Sequence, residues 1–469
     1  MHGFEDRGWK VDPGRFAETG RFGRMFPELR SLTEFTPGPV ALGAVDGPMD
    51  GDRTELGGTP QDNPRIKAGY TFLGQFIDHD LTLDATSVLE QQIDPGALRN
   101  FRTPAFELDS VYGLGPGVHP YLYEKRNPFR LLIGPDGGDL PRNHEERALI
   151  GDPRNDENII VSQLHLLFLK FHNKVFDDHV VGVGGAQARF EAAQTMVRWH
   201  YQWIVLHEFL PRLVGTATIA RVLRERPFRY PSDAFMPLEF SVGAYRFGHT
   251  QVRPGYSLGE DRRAVLFPEK PDAPVGRDLR GGRAVPKELR VDWERFFGLT
   301  AQPSKLIDPL LSRPLLRLPE SVIPPGVPDE HRSLATRNLQ RGLDARLPAG
   351  QTIANHLQIA ALSETQIWDG VPGGDGLAPL WFYILREGEV LAGGRRLAGV
   401  GAEIVARVFV ALLLADRASF LVQDPQWTPT LPSAVPGRFT MSDMVNLTLG
   451  KNLASEDVAT LPGDDTGAP

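Results

Sequence analysis

The chain has 469 residues, with 51 Lys and Arg against 59 Asp and Glu, a formal net charge of -8 and 41% hydrophobic residues. This is the composition of an ordinary globular protein, and an acidic balance without a clustered basic face argues against a nucleic-acid partner. The sequence contains no cysteine. Disulfides, thiolate nucleophiles and iron–sulfur clusters are therefore excluded, and His, carboxylate and carbonyl groups are the only metal ligands left.

The N-terminus and the most apolar segment bear on targeting. The N-terminal sequence MHGFEDRGWK lacks a basic cluster followed by an apolar run, so no secretory leader is expected. The apolar segment 405–415 is too short for the roughly 20 residues that span a bilayer, and it contains Arg407. We expect no transmembrane segment. A cytoplasmic location, leaderless export and any oligomeric state all remain open.

Glycine and proline, with 49 and 40 residues, are enriched and predict long loops around a helical core. Residues 1–66 are predicted to form an irregular N-terminal wrap, and residues 455–469 a disordered acidic tail. Residues 67–454 are predicted to form one large, mainly helical domain with few short strands. Apolar residues at helical spacing predict helices over segments 68–84, 158–179, 189–214, 332–342, 352–363, 402–422 and 442–449.

The first cluster with chemical potential is the segment QFIDHD, residues 75–80. On a helix Gln75, Asp78 and His79 share one face, while Asp80 points elsewhere. An amide, a carboxyl and an imidazole are thereby gathered together. Taken alone, a histidine flanked by two aspartates is more often a capped surface histidine than a functional one.

Two further clusters follow along the chain. Arg154 and Glu157 lie three residues apart at the start of a strongly apolar helix, where a solvated ion pair is the simpler interpretation. A glycine precedes His249, which would let a flat ligand approach the backbone closely. Asn338 and Arg341 share one helical face.

The motifs GQFIDHD, GDPRNDEN followed by LHLLFLKFHN, YRFGHT and NLQRG occur in this order. With them the sequence resembles the myeloperoxidase-type (animal-type) haem peroxidases, in the superfamily that also contains the cyclooxygenases, and it looks like a bacterial, cysteine-free member. The resemblance covers roughly residues 20–450. It implies the family's mainly helical fold and haem b as cofactor.

The resemblance also implies a role for each matched residue. His79 would be the distal histidine, Gln75 the distal glutamine, Arg154 the distal arginine, His249 the proximal iron ligand, Asn338 its hydrogen-bond partner and Arg341 a haem-propionate ligand. In these roles the distal imidazole moves the peroxide proton, and the arginine stabilises negative charge on the departing oxygen. The distal glutamine would hold a pocket water or a halide, and the asparagine would fix the proximal tautomer.

Covalent attachment of the haem is a further implication. Family members with covalent haem form esters from two carboxylates, and Asp78 and Glu157 occupy the matching positions. Where the myeloperoxidase pattern can carry a methionine that forms a sulfonium link, this chain has Asn158. We therefore expect ester links to be available and a sulfonium link to be absent.

The resemblance implies a calcium site as well. It would join Asp80 to Thr103, Ala105, Glu107 and Asp109 in the loop FRTPAFELDSVYG, which mixes the oxygen ligands that a hard cation prefers. Glu107 and Asp109 stand where the familiar pattern has Asp and a hydroxyl residue. The alternative is an acidic surface loop.

The function implied is reduction of hydrogen peroxide and oxidation of halides or small aromatic and phenolic donors through a ferryl intermediate. A cyclooxygenase-like fatty-acid dioxygenase is an alternative. It needs a tyrosyl radical, and its pattern places the tyrosine three residues before the proximal histidine, where this chain has Arg246, with Tyr245 one residue earlier. A catalytically inert haem-binding relative is the third possibility. The other helical histidines are interpreted as packing or supporting residues: His165, His172, His200 and His207.

Overall fold

The computed structural model describes residues 22–53, 60–83, 100, 102–230, 233–268, 276–320, 322–323, 326–454 and 456. Within these residues the chain forms a mainly helical single domain with few short strands, which confirms the predicted fold class. The described α-helices are α1 (Pro39–Gly43), α2 (Ala68–Leu81), α3 (Asp109–Tyr112), α4 (Ile159–Asp178), α5 (Ala186–Ile204), α6 (Leu210–Val214), α7 (Thr216–Glu225), α8 (Arg313–Leu316), α9 (Leu334–Asp344), α10 (Gly350–His356), α11 (Glu364–Ile367), α12 (Leu380–Ala392), α13 (Gly399–Ala415), α14 (Phe420–Gln423) and α15 (Met441–Leu449).

The strands form three small two-stranded sheets in the described part of the chain. Strands β1 (Phe22–Gly23) and β3 (Met236–Pro237) pair in parallel, whereas β2 (Asp62–Lys67) pairs antiparallel with β6 (Pro303–Lys305). The third sheet is the antiparallel pair of β4 (Gly255–Gly259) and β5 (Arg262–Val265). These pairings tie distant loops to the helical core.

The N-terminal wrap is less irregular than predicted. Its described residues include α1, β1 and most of β2, and β2 runs to Lys67 across the expected boundary at residue 66. Residues 1–21 and 54–59 lie outside the described residues, as does the predicted tail apart from Glu456.

Helix α4 illustrates why the apolar periodicity predicts structure well here. Its stripe of Leu164, Leu167, Phe168, Phe171 and Val175 is buried, and the helix packs against α2, α5 and α15. The side chain of Asn158 caps the first turn by accepting a hydrogen bond of 2.9 Å from the backbone N–H of Val161. The ring of Phe168 stacks on that of Phe76 at 4.6 Å, so α4 holds the helix that carries the first motif.

The most apolar helix, α13, is a core helix as expected. It spans seventeen residues and packs against α12 and α7. Among the described residues, none of the helices has the length and apolarity needed to cross a membrane.

Candidate active site

A cavity of about 1110 Å³ lies between α2, the short 3-10 helix Pro153–Asp156 and the 3-10 helix Ala244–His249. Its wall contains seven of the eight residues that the resemblance assigns to the haem pocket: Gln75, Asp78, His79, Arg154, Glu157, His249 and Arg341. Asn338 lies behind the wall, against His249. The fold thus gathers residues that are widely separated along the chain.

Helix α2 presents its residues as the periodicity predicts. Gln75, Asp78 and His79 line the cavity, whereas Asp80 is fully buried on another side of the helix. The alternative interpretation of His79 as a capped surface histidine is wrong, because this residue is only 4% exposed to solvent. The backbone N–H of Thr82 ends the helix by donating to the carbonyl of Asp78, at 2.9 Å.

The imidazole of His79 is fixed by a neighbouring amide. Its Nδ1 atom lies 2.8 Å from Oδ1 of Asn155, which leaves Nε2 3.8 Å from a carboxylate oxygen of Glu157. Asn155 also contacts a second imidazole, with its Nδ2 atom 2.9 Å from Nδ1 of His165. Neither Asn155 nor His165 was singled out as a site residue from the sequence.

Arg154 is held by Asp152 and by the end of α2. Its Nη2 atom donates to Oδ2 of Asp152 at 2.8 Å, to the carbonyl of His79 at 3.0 Å and to the carbonyl of Thr82. Asp152 is fully buried, and although burial acts to raise its pKa, hydrogen bonding to Arg154 prevails and lowers it below its usual range. This carboxylate therefore stays charged and anchors the guanidinium at the cavity wall.

Glu157, which the sequence suggested as an ion-pair partner of Arg154, is hydrogen-bonded to Gln75 in the structure. Glu157 accepts a hydrogen bond from Nε2 of Gln75, and the other end of that amide accepts a bond of 3.1 Å from Nδ2 of Asn158. Gln75 is thus engaged at both ends by residues next to the start of α4.

His249 lies at the end of the 3-10 helix Ala244–His249 and pairs with α9. Its Nδ1 atom is 2.7 Å from Nδ2 of Asn338. Burial, reinforced by Arg246, lowers the pKa of His249 to about 3, so the ring is neutral and able to bind a metal. An iron bond through Nε2 requires the proton on Nδ1, and the amide must then present its oxygen, which a half-turn of the Asn338 side chain provides.

Positive charge on the cavity wall is greater than the sequence motifs indicate. Arg147, Arg246 and Arg280 line the cavity in addition to Arg154 and Arg341. Nε of Arg246 donates to the carbonyl of Ser241 at 2.9 Å, within the turn that carries His249. The sequence identifies Arg246 only by its position three residues before His249, not as a cation of the cavity wall.

Two of the residues proposed for calcium, Glu107 and Asp109, act electrostatically on Asp80. Burial, followed by the charges of Asp109 and Glu107, raises the pKa of Asp80 well above its usual range. One carboxylate oxygen of Asp80 accepts bonds of 3.2 Å from the backbone N–H of Leu108 and from the hydroxyl of Tyr201. In the described part of the chain, its Oδ1 atom and Oδ1 of Asp109 are buried without a hydrogen-bond partner.

These orphaned oxygens fit a bound cation, which would supply the missing partner. Among the described residues, however, no three His, Asp or Glu side chains are grouped closely enough to hold a metal by themselves. The site would therefore depend on the hydroxyl and carbonyl oxygens at Thr103 and Ala105. Arg102 takes part of the space, since its Nη1 atom lies 2.9 Å from Oδ2 of Asp109.

Comparison with known proteins places this chain in a family. The model of the animal haem peroxidase family matches residues 122–368, which is more than half of the chain. The chain belongs to the animal haem peroxidase family. The family belongs to the peroxidase–cyclooxygenase superfamily, and membership implies haem as the prosthetic group. The matched region contains Arg154, Glu157, His249, Asn338 and Arg341, whereas α2 lies outside it.

Curated relatives of this family member are considerably longer. Human thyroid peroxidase is 30% identical over 307 residues, covering 61% of this chain and 30% of that protein. Chorion peroxidase of Aedes aegypti is 23% identical over 308 residues, covering 63% of this chain and 37% of that protein. A peroxidase-like protein of Margaritifera margaritifera is 33% identical over 112 residues, covering 22% of this chain and 14% of that protein. The chain thus spans little more than a third of these relatives at most.

Solved structures share the fold over most of the family member's length. Peroxidase A from Dictyostelium discoideum has a TM-score of 0.64 at 16% identity and covers 95% of both chains. A fatty acid alpha-dioxygenase from Arabidopsis thaliana has a TM-score of 0.60 at 14% identity, covering 92% of this chain and 78% of its own. At these identities the likeness establishes the fold alone.

Proposed function

We propose that this chain is a haem-dependent peroxidase that reduces hydrogen peroxide at the expense of a small reductant. One observation carries the proposal: in a member of the haem peroxidase family, the imidazoles of His79 and His249 and the guanidinium of Arg154 line the same cavity. These are the groups that acid–base catalysis, iron binding and charge stabilisation require.

The cavity wall offers suitable ligands for haem. His249, kept neutral by burial, would bind the iron through Nε2, with Asn338 holding Nδ1. Arg341 and Arg246, which both line the cavity, would pair with the propionates. When bound, haem supplies the redox centre at which the peroxide O–O bond is cleaved.

The chain's own groups would manage the proton and the charge. Nε2 of His79 would accept a proton from hydrogen peroxide and return it to the departing oxygen, so that water leaves. Arg154 would stabilise the negative charge that develops on that oxygen. Because Asp152 already holds the guanidinium in place, Arg154 would not need to reorient during the reaction.

Glu157 favours organic donors over halides as reductants. Its carboxylate lies 3.8 Å from Nε2 of His79 and occupies the amide of Gln75, the group assigned to a halide or water. A negative charge at this point repels a halide anion. While Glu157 is free, small aromatic and phenolic donors are therefore the proposed substrates. An ester bond at Glu157 would remove this charge and allow halide oxidation as well.

Ester attachment of the haem through Asp78 and Glu157 is part of the proposal, because both carboxylates line the cavity. Extraction with acidified acetone tests it, since ester-linked haem stays with the polypeptide. Release of all the haem would exclude the covalent links. Asn158 provides no thioether and instead caps α4, which supports the expected absence of a sulfonium bond.

We also propose that Ca²⁺ binds Asp80 together with Thr103, Ala105, Glu107 and Asp109. The support is the pair of buried carboxylate oxygens at Asp80 and Asp109 that lack a hydrogen-bond partner. Because Asp80 follows His79, the ion would fix the end of α2. Metal analysis of dialysed protein should give one calcium per chain, and a calcium-free protein of unchanged melting temperature would remove the site.

Stopped-flow mixing of the haem-loaded protein with hydrogen peroxide tests the activity. A rapid change in the Soret band that returns when a phenolic donor is added supports the peroxidase. A spectrum that stays unchanged would contradict it and would favour the inert haem-binding relative.

A fatty-acid dioxygenase is the second candidate, and one observation favours it. Tyr245 is buried, lines the cavity and donates a hydrogen bond of 3.2 Å to the carbonyl of Gly74. A tyrosine at this place could become a radical. Oxygen consumption that depends on added fatty acid and is lost in Tyr245→Phe would support the dioxygenase, and its absence would exclude it.

A further inference from the structure

A chain of three polar side chains leads from the cavity into the protein core. It runs from His79 on α2 through Asn155, in the 3-10 helix before α4, to His165 on α4. Oδ1 of Asn155 lies 2.8 Å from Nδ1 of His79, and Nδ2 of Asn155 lies 2.9 Å from Nδ1 of His165. Asn155 and His165 are both fully buried, so neither can exchange its partner for bulk water.

The chemistry of the three groups couples their states. An asparagine amide accepts at one end and donates at the other, whereas a neutral imidazole nitrogen does one or the other according to its tautomer. With the amide oxygen toward His79, that ring must carry its proton on Nδ1, and His165 must accept at Nδ1. Turning the amide reverses both requirements and would place the His79 proton on Nε2, facing the cavity.

Only one of these two arrangements suits a base. A ring with its proton on Nδ1 presents the Nε2 lone pair to the cavity and can take a proton there. A ring with its proton on Nε2 presents a donor and cannot. With its oxygen toward Nδ1 of His79, the Asn155 amide has the orientation that would let His79 act as a base.

We infer that Asn155 and His165 are positioning residues that hold His79 in its Nδ1-protonated tautomer, ready to accept the peroxide proton at Nε2. The inference deepens the proposed peroxidase function and rests on it. Asn155 acts on the ring directly, and His165 acts through Asn155 by accepting from its Nδ2 atom.

The surroundings of His165 support this role. Burial lowers the pKa of His165 to about 3, so this ring stays neutral and remains able to accept a hydrogen bond. Its ring packs edge-on against Phe76, with centroids 6.1 Å apart, which restrains its position. In the described part of the chain its Nε2 atom has no hydrogen-bond partner, so the bond to Asn155 is the polar contact that the structure gives this ring.

Two substitutions at position 165 separate hydrogen bonding from packing. His165→Asn places an amide oxygen where Nδ1 of the imidazole lies, and so can still accept from Asn155. His165→Leu has a similar size and shape to asparagine but offers no acceptor. Both lose the ring contact with Phe76, so any difference between them reports the hydrogen bond.

The first readout is the tautomer of His79 in the protein without haem. Nitrogen-15 NMR of protein labelled in its twelve histidines, with His79→Gln used to assign the signal, distinguishes protonation at Nδ1 from protonation at Nε2. We expect the Nδ1-protonated form in the unmodified protein and in His165→Asn, and a mixture of both forms in His165→Leu. A His79 ring protonated at Nε2 in the unmodified protein would overturn the inference.

The second readout is the second-order rate constant for the reaction of the haem-loaded protein with hydrogen peroxide. We expect His165→Asn to stay within about threefold of the unmodified protein. His165→Leu should be slowed about tenfold or more, because the acid–base contribution it weakens is typically 10²-fold or larger. Haem content and the rate of donor oxidation should be equal in the two variants.

Equal rate constants for His165→Leu and His165→Asn would overturn the inference, whether both stay high or both fall. Unmodified protein that binds haem but ignores peroxide would instead refute the proposed function, and the NMR result would still decide the tautomer. If His165→Leu fails to fold, Asn155→Leu against Asn155→Asp supplies a matched comparison, because aspartate keeps an acceptor oxygen in place of Oδ1, whereas leucine has a similar shape and no acceptor.

Discussion

His79 and His249 each pair Nδ1 with an asparagine side chain, but through opposite ends of the amide. Asn155 presents its oxygen to His79 at 2.8 Å, whereas Asn338 presents its nitrogen to His249 at 2.7 Å. His79 is almost wholly buried, and its amide partner is fixed in turn by His165. His249 is half-buried on the cavity wall.

The difference reflects what each ring has to do. A general base makes no permanent bond, so its tautomer has to be set by the protein alone. As the proposed iron ligand, His249 would be fixed by its metal bond, with the proton on Nδ1 and the oxygen of Asn338 facing it. The pairing of His79 would then already suit a base in the polypeptide alone, whereas the pairing of His249 would reach its final form only with haem bound.

The largest effect is expected from His249→Ala. Loss of the proposed iron ligand should lower haem affinity at least about 100-fold, since losing only a ligand's hydrogen-bond partner already costs about 10- to 100-fold, or leave a bound haem with a changed axial-ligand spectrum. Haemin titration monitored at the Soret band measures this. His356→Ala, which removes an exposed histidine paired with Glu28, is the control. An unchanged affinity and spectrum would mean that another residue binds the iron.

His79→Ala should leave haem bound but slow the peroxide reaction by two or more orders of magnitude, because a positioned acid–base group typically contributes 10²–10⁴-fold. Stopped-flow spectroscopy with hydrogen peroxide gives the rate constant, again with His356→Ala as control. A normal rate would remove His79 from the mechanism. Haem loss comparable to that in His249→Ala would refute the contrast between the two sides.

Asn338→Leu and Asn338→Asp sharpen the account of the proximal side. Leucine cannot accept from Nδ1 of His249, so haem affinity should fall by about tenfold, the lower end for losing a ligand's hydrogen-bond partner. Aspartate always accepts, so it should retain haem and shift the iron reduction potential to a more negative value. Potentiometric titration of the unmodified protein and both variants measures the iron reduction potential. Identical potentials in all three would show that Asn338 does not act on His249.

Gly281→Ala should produce a smaller effect confined to the distal side. The backbone N–H groups of Gly281 and Gly282 donate to the carbonyls of Glu157 and Asp156 at 3.0 and 2.7 Å. A Cβ at Gly281 would overlap the backbone oxygen of Asp156, so the segment that carries Arg154 has to move.

We expect the peroxide rate constant of Gly281→Ala to fall about three- to tenfold while haem affinity stays unchanged, since small misplacements of catalytic groups are costly. Gly182→Ala is the control, because a Cβ there meets no neighbour within 4 Å. A loss of haem affinity without a change in the peroxide rate constant would contradict an effect confined to the distal side.

The helices that the sequence predicts well carry polar residues among apolar residues at helical spacing. Segment 158–179 appears as α4 with nearly the predicted bounds, and segment 68–84 as α2. The helix predicted over segment 352–363 is wrong in its second half. The helix ends at His356, and Gln358 adopts a left-handed backbone conformation with φ of 58°. Segment 402–422 is interrupted between α13 and α14.

Helix α12 escaped prediction because its first turns, LWFYIL, are entirely apolar or aromatic and contain no polar residue that would mark a helical period. The same limit applies to the site. Motifs carry the cavity residues themselves, but Asn155 and His79 are 76 positions apart and meet only through the fold. The anchoring of Arg154 by Asp152 and the engagement of Gln75 by Asn158 depend on side-chain geometry that spacing does not encode.

The central claim is that a porphyrin binds in the cavity between α2 and the Ala244–His249 turn. Titration of the purified protein with haemin, followed by a pyridine haemochrome assay, tests it most directly. The account predicts saturation at one haem per chain with a Soret band that His249→Ala alters and His356→Ala does not. Failure to bind haem, or binding that is indifferent to His249, would contradict it.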